Sequence, residues 1–174
     1  MKQLIVGKSL EMQLAALLDT LPSDATVSYM VTRLNEGEEA TIVASSKETI
    51  VHTGASMVKT LILEYVFHLA AQEQLDLNDT IALSRSPRVE GAGALMELVG
   101  NHSFSYLELC RLMMVLSDNW ATNLLIQALG MENINARAEQ LGLEHFEINR
   151  MMMDFTAVKE NRDNYITAMD MAVL

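Results

Sequence analysis

Several residue types are scarce in this chain, and each scarcity removes a class of structure. A single cysteine, Cys110, leaves no partner for an intramolecular disulfide, so the redox compartment stays open. It lies in the apolar stretch Leu107–Met114 and reads as a core residue. Basic residues are few, 12 against 23 acidic ones, for a net charge of −11. That argues against nucleic acid or an anionic membrane as partner, since both need basic patches. No apolar run approaches the ~20 residues of a membrane span. The N-terminal Leu4-Ile5-Val6 is broken by Lys8 and is too short for a signal peptide. Read alone, the chain fits a cytoplasmic protein, or an exported one whose leader has been removed. The histidines at 52, 68, 102 and 145 show no metal-ligand spacing, and no metal or cofactor is expected. No repeat or low-complexity linker divides the chain, so residues 1–174 read as one domain.

What is present is apolar residues, 50% of 174, enough for a real core. Leu10 to Leu21 has the period of an amphipathic helix, ended by Pro22-Ser23-Asp24. Thr26 to Leu34 and Thr41 to Ala44 read as strands joined by the glycine-containing turn Asn35 to Glu39. Thr49 to His52 is a short third extended piece. Helices are predicted from Ser56 to about Glu73, Ser105 to Leu116, Trp120 to Leu129 and Met131 to Leu141, with Ser105 and Glu108 forming a capping box. Residues 75–79 and 90–95 read as turns and 150–163 as a long loop. A last helix begins at Thr167.

The chemistry starts at Ser56-Met57-Val58-Lys59. The helix that follows is apolar nearly all round, the mark of a buried helix. A lysine inside such a run is costly unless it is paired. Ser56 stands three residues earlier, so the two side chains leave the same helical face. Burial would lower the amine pKa and let Lys59 accept the serine proton. The plainer alternative is that Ser56 only caps the helix and Lys59 snorkels to solvent. Ser-x-x-Lys alone is weak, since a chain this long shows about one by chance. Ser117-Asp118-Asn119, at the end of an apolar helix, is rarer, on the order of a few per hundred chains. It too has a plain reading, as a corner between two helices.

Taken together, these two motifs resemble the penicillin-recognising serine acyltransferases, most closely class A β-lactamase-like proteins, whose third signature is Lys-Thr-Gly. The stretch Leu107 to Ile126 is similar to that family's second-motif helix pair almost throughout. Ala138-Glu139-Gln140-Leu141-Gly142 with Arg150, and Arg162-Asp163, look like the approach to its omega loop and the loop's end. The resemblance implies a helix-rich α+β fold of the β-lactamase/transpeptidase type. Residue by residue, it implies Ser56 as acylated nucleophile, Lys59 as base or relay, and Ser117 as proton donor to the leaving nitrogen. It implies Asn119 as holder of the substrate amide and Arg150 and Asp163 as an ion pair closing the loop. The implied substrate is a small β-lactam or peptidoglycan-like molecule.

Two positions depart from that pattern. Where a class A enzyme carries a glutamate, two residues after the loop arginine, this chain has Met152, which cannot take a proton from water. Glu147, Asp154 and Glu160 are nearby, but none matches the motif. The Lys-Thr-Gly strand is absent; His52-Thr53-Gly54 resembles it in letters but precedes the nucleophile. The chain therefore reads as a domain cut before its C-terminal strands and last helix, and a partner chain or swapped segment is expected to complete it. The expected activity is acylation followed by slow hydrolysis. The alternatives are a penicillin-binding or esterase-like protein, and a non-catalytic binding module whose methionines, 13 in all, form an adaptable surface.

Overall fold

The computed structural model describes residues 9–34 and 40–174. Among these the chain is helix-rich α+β and forms two compact units. One is built from the described part of 1–50 with 167–173, and the other from 51–166.

In the first unit, helix α1 (Leu10–Leu18) opens on Ser9, whose hydroxyl accepts the Met12 N–H at 3.3 Å. It stops three residues short of the predicted Leu21. The chain tightens there, with Thr20 N–H on Leu17 O and Leu21 N–H on Leu18 O, both at 3.0 Å. Pro22 follows and disfavours helical backbone at Leu21. Strands β1 (Tyr29–Arg33) and β2 (Thr41–Ser46) pair antiparallel from Tyr29↔Ser46 to Arg33↔Thr41. The register shifts between Val31 and Thr32, whose partners are Ala44 and Ile42, so Val43 is the extra residue of a bulge. The predicted turn Asn35 to Glu39 lies outside the described residues. Helix α7 (Ala168–Val173) packs against β1. Its start is a reciprocal cap in which Thr167 Oγ1 donates to Asp170 Oδ2 at 2.7 Å and accepts the Asp170 N–H at 3.0 Å.

The second unit is a helical core. Helices α2 (Lys59–Ala71), α3 (Tyr106–Val115), α4 (Asn119–Leu129) and α5 (Met131–Gln140) pack on one another. Leu61, Ile62 and Val66 of α2 meet a core that also holds Leu109 and Met113 of α3, Leu124 to Ile126 of α4, and Ile134 of α5. Helix α4 is buried from Asn119 to Ile126, as expected of a central helix surrounded by others. Arg137 of α5 reaches Glu64 of α2 through two bonds, at 2.5 and 3.0 Å, pinning the two helices together. The predicted capping box is present, with Ser105 Oγ accepting the Glu108 N–H at 3.2 Å and Glu108 Oε2 accepting the Ser105 N–H at 2.8 Å.

Short strands frame this core. β3 (His52–Thr53) pairs with β6 (Tyr165–Ile166), and β4 (Thr80–Ala82) with β5 (Ser103–Ser105), both antiparallel. Neither β4 nor β5 was expected, because three residues are too few for an alternation to register. The segment 150–163 is not wholly irregular either. Asp154 Oδ1 accepts the Ala157 N–H at 3.0 Å and nucleates a five-residue helix, α6 (Phe155–Lys159). Cys110 lies in the core, where burial pushes its thiol up to about 11. It should therefore resist a disulfide-exchange reagent in the native protein and react only on unfolding. A fast stoichiometric reaction under native conditions would contradict this placement.

Candidate active site

Ser56 is not the first residue of α2, as the sequence pattern suggests. It sits in a 3₁₀ turn, Ala55–Val58, and α2 begins at Lys59. The turn is tight because Ala55 takes a left-handed φ of 43° and Met57 N–H closes on Gly54 O at 2.8 Å. Gly54 has no room for a side chain, since a Cβ there would lie 2.7 Å from Val58 Cγ1. Neither this turn nor α2 is capped by a side chain, so the Ser56 hydroxyl is not an N-cap. Lys59 does not snorkel either, being 2% exposed.

The second motif forms the corner between α3 and α4. Ser117 takes a left-handed φ of 53°, and the Leu116 and Asp118 N–H groups both return to Leu112 O, at 3.1 and 3.2 Å. Asp118, 1% exposed, caps α4 by accepting the Ala121 N–H at 2.9 Å. Its other oxygen accepts the N–H groups of Ala94 and Leu95, at 2.7 and 2.8 Å. The loop 90–95 is thus bound to the corner, with Asn119 N–H on Ala92 O at 3.0 Å and Asn119 Nδ2 on Glu90 O at 3.4 Å. Gly93 is what lets this loop approach, since a Cβ would stand 2.3 Å from the Asp118 carboxylate and its φ is +125°. The sequence reading of 90–95 as a simple turn misses this anchoring role.

These two corners meet. Lys59 Nζ donates to Ser117 O at 2.7 Å, to Ser117 Oγ at 2.8 Å and to Asn119 Oδ1 at 3.3 Å. Ser117 Oγ in turn lies 3.1 Å from Ser56 Oγ. Burial lowers the Lys59 pKa, and the Asp118 carboxylate opposes that shift. The sequence suggests an amine directly beside Ser56, but the structure puts Ser117 between them. Hydroxyl, hydroxyl and amine in series form a path along which a proton can move. If Lys59 is neutral, its two N–H groups serve Ser117 O and Asn119 Oδ1, and its lone pair faces Ser117 Oγ.

Arg150 and Asp163 are not part of this cluster. They close the neck of the segment 150–163, with Arg150 Nε on Asp163 Oδ1 at 2.7 Å. Asn164 Oδ1 reinforces the neck by accepting the Asn149 and Arg150 N–H groups, at 2.8 and 3.0 Å. The segment is fastened to α4 at Met152, whose N–H donates to Asn123 Oδ1 at 2.7 Å and whose carbonyl accepts from Asn123 Nδ2 at 3.1 Å. Neither Asn123 nor Asn164 was singled out from the sequence, because a polar side chain bonded to distant backbone leaves no local pattern. A cleft of about 380 Å³ runs beside Met152, lined by Arg88, Glu90, Met153, Asp154 and Phe155 among others. Among the described residues no group of three His, Cys, Asp or Glu is placed to hold a metal ion. No described helix is long and apolar enough to cross a membrane.

The helix-rich α+β fold and this Ser-Lys-Ser-Asn cluster define a serine-centred site on a recurrent scaffold. Residues 9–174 match the model of the beta-lactamase enzyme family, and the chain belongs to that family. It is 31% identical over 97 residues to beta-lactamase BRO-1 of Moraxella catarrhalis, an alignment spanning 52% of this chain and 31% of that protein. A solved beta-lactamase from Sphaerobacter thermophilus is similar with a TM-score of 0.72 and 27% identity, over 84% of this chain and 53% of that one. A variant of PBP-A, solved as an acyl-enzyme complex with penicillin G, is similar with a TM-score of 0.76 and 25% identity, over 94% of this chain and 58% of that one. The chain thus spans a little over half the length of these solved relatives, and less of the curated one.

The neck has a direct test. Asp163→Ala strips Arg150 Nε and the Asn164 N–H, which donates to Asp163 Oδ1 at 2.7 Å, of their acceptor. The protein should lose roughly 1–3 kcal/mol in denaturant unfolding. A change within about 0.5 kcal/mol, ordinary for a surface substitution, would mean that the pair does not hold the neck.

Proposed function

We propose that this chain is a serine hydrolase domain that works through an acyl-enzyme on β-lactams or related amides and esters. The observation that carries the reading is the series Ser56 Oγ, Ser117 Oγ and Lys59 Nζ, with separations of 3.1 and 2.8 Å. Ser56 Oγ attacks the carbonyl carbon while its proton passes through Ser117 to neutral Lys59. When the carbonyl–nitrogen bond breaks, the leaving nitrogen takes a proton back from Ser117, which Lys59 replenishes. The backbone N–H of Ser56 serves the developing oxyanion. Asn119 Nδ2, held among the described residues by a long 3.4 Å contact with Glu90 O, is available to the substrate amide. The PBP-A variant solved with penicillin G bound covalently supports a β-lactam as the first substrate to try.

Release is the slow step in this reading. Clearing an ester needs a water deprotonated beside it, and general-base help is worth about 10²–10⁴ in rate. Met152 stands where the family resemblance puts a glutamate, and the three carboxylates near it in the sequence are engaged elsewhere. Asp154 caps α6, Glu160 pairs with Arg162 at 2.6 Å, and Glu147 accepts from Asn149 Nδ2 at 3.0 Å. The chain is therefore read as acylating readily and hydrolysing slowly, in the manner of a penicillin-binding protein.

Incubation with a penicillin should add the mass of the intact drug to Ser56, as read by peptide mass spectrometry. Ser56→Ala should abolish the adduct and Lys59→Ala should nearly do so; an adduct that survives Ser56→Ala would sink the assignment. Because Lys59 must be neutral to take the proton, acylation should slow as pH falls through its lowered pKa. A rate that rises toward acid would exclude Lys59 as the base. With a chromogenic β-lactam, a stoichiometric burst should precede a slow steady state, and Met152→Glu should speed that second phase. Rapid linear turnover with Met152 in place would refute the slow-release reading.

A further inference from the structure

Asn164 lies where two otherwise separate devices come within one residue of each other. It is 1% exposed. Its Oδ1 accepts the Asn149 and Arg150 N–H groups at 2.8 and 3.0 Å, on the neck of the segment 150–163. Its backbone carbonyl accepts the Gly54 N–H at 2.7 Å. The Gly54 carbonyl then accepts the Met57 N–H at 2.8 Å and closes the turn that carries Ser56. The next residue repeats the bridge, since Tyr165 exchanges hydrogen bonds with Glu147 at 2.9 and 3.0 Å and pairs across β3 with Thr53. The segment 163–166, which ends in β6, therefore lies between the loop neck and the turn that carries Ser56, and Asn164 bonds to both.

The chemistry of the side chain says which end matters. Among the described residues Asn164 Nδ2 is buried and has no hydrogen-bond partner. A buried donor left unmade is unfavourable, so the residue is kept for its acceptor, which holds two backbone N–H groups that would otherwise be orphaned. An aspartate would supply the same acceptor but would add a second buried carboxylate beside Asp163.

We propose that Asn164 is a positioning residue that couples closure of the 150–163 neck to the placement of the Ser56 turn. With the neck closed, the segment 163–166 is held in place and Gly54, through the Asn164 carbonyl, fixes the turn. With the neck slack, the segment shifts and Ser56 Oγ loses its register on Ser117 Oγ. The kinetic consequence rests on the acyl-enzyme reading, but the mechanical coupling does not. A small misplacement of a reacting group is enough to cost on the order of 10–100-fold in rate.

The test is amide hydrogen exchange on the full chain, read beside the penicillin acylation rate, for Asn164→Ala and Asn164→Asp. Asn164→Ala should speed exchange at Asn149 and Arg150, which lose their acceptor, and also at Gly54 and Met57, whose own partners are untouched by the substitution. Acylation should fall by roughly 10–100-fold. Asn164→Asp, which keeps the acceptor but adds a buried carboxylate beside Asp163, should restore both part of the way toward wild type. Should Asn164→Ala fail to fold, Asn164→Ser is read the same way, its hydroxyl being too short to reach the two amides. Faster exchange at Asn149 and Arg150 with unchanged exchange at Gly54 and Met57 would overturn the coupling, whatever the acylation rate does. The expected exchange pattern in a chain that no penicillin acylates would uphold the coupling and remove the acyl-enzyme reading.

Discussion

A single buried carboxylate holds the site together. Asp118 receives the N–H groups of Ala94, Leu95 and Ala121, each within 2.9 Å, and each of these bonds places something different. The bond to Ala121 starts α4. The two to Ala94 and Leu95 draw the loop 90–95 over the corner, where it meets Asn119. A carboxylate this deep is tolerable only because its lone pairs are so fully engaged. Ser117 and Asn119 flank it directly, so their side chains point where the corner sends them. The same charge opposes the desolvation of Lys59 and limits how far that amine is driven toward neutrality. One group thus shapes the geometry of the site and tempers the shift that burial imposes on the amine at its centre.

What the sequence made legible was whatever repeats along an element. Ser56 and Lys59 share a face because three residues are nearly one helical turn, and the burial of Lys59 follows from the apolar run around it. The long helices and the capping box at Ser105 follow from periodicity and from side chains that act on their own neighbours. The meeting of Ser56 and Lys59 with Ser117, some 60 residues on, has no local signature and came from resemblance to a family. The insertion of Ser117 between Ser56 and the amine was not legible, because it depends on a left-handed residue at a corner. Nor were the clamps by Asn123 and Asn164, each a side chain reaching backbone far along the chain. Strands of two and three residues such as β3 and β4 fall below the length at which alternation can be recognised.

The loop 150–163 shows how a segment without a core of its own is kept in shape. Its ends are joined by Arg150 and Asp163, its middle carries one short capped helix, and Asn123 fastens it to the most buried helix of the domain. Hydrogen bonds to backbone add to the burial of Met152 and Ala157 in defining it. Such bonds specify where a chain runs while leaving many of its side chains unconstrained.

That distinction matters most at Met152. Asn123 grips both the N–H and the carbonyl of this residue, so the chain is held there through its backbone as well as through the buried Met152 side chain. Position 152 behaves as a socket. The side chain in that socket also forms part of the wall of the cleft lined by Arg88, Glu90 and Phe155, so the shape of that wall follows from this one residue.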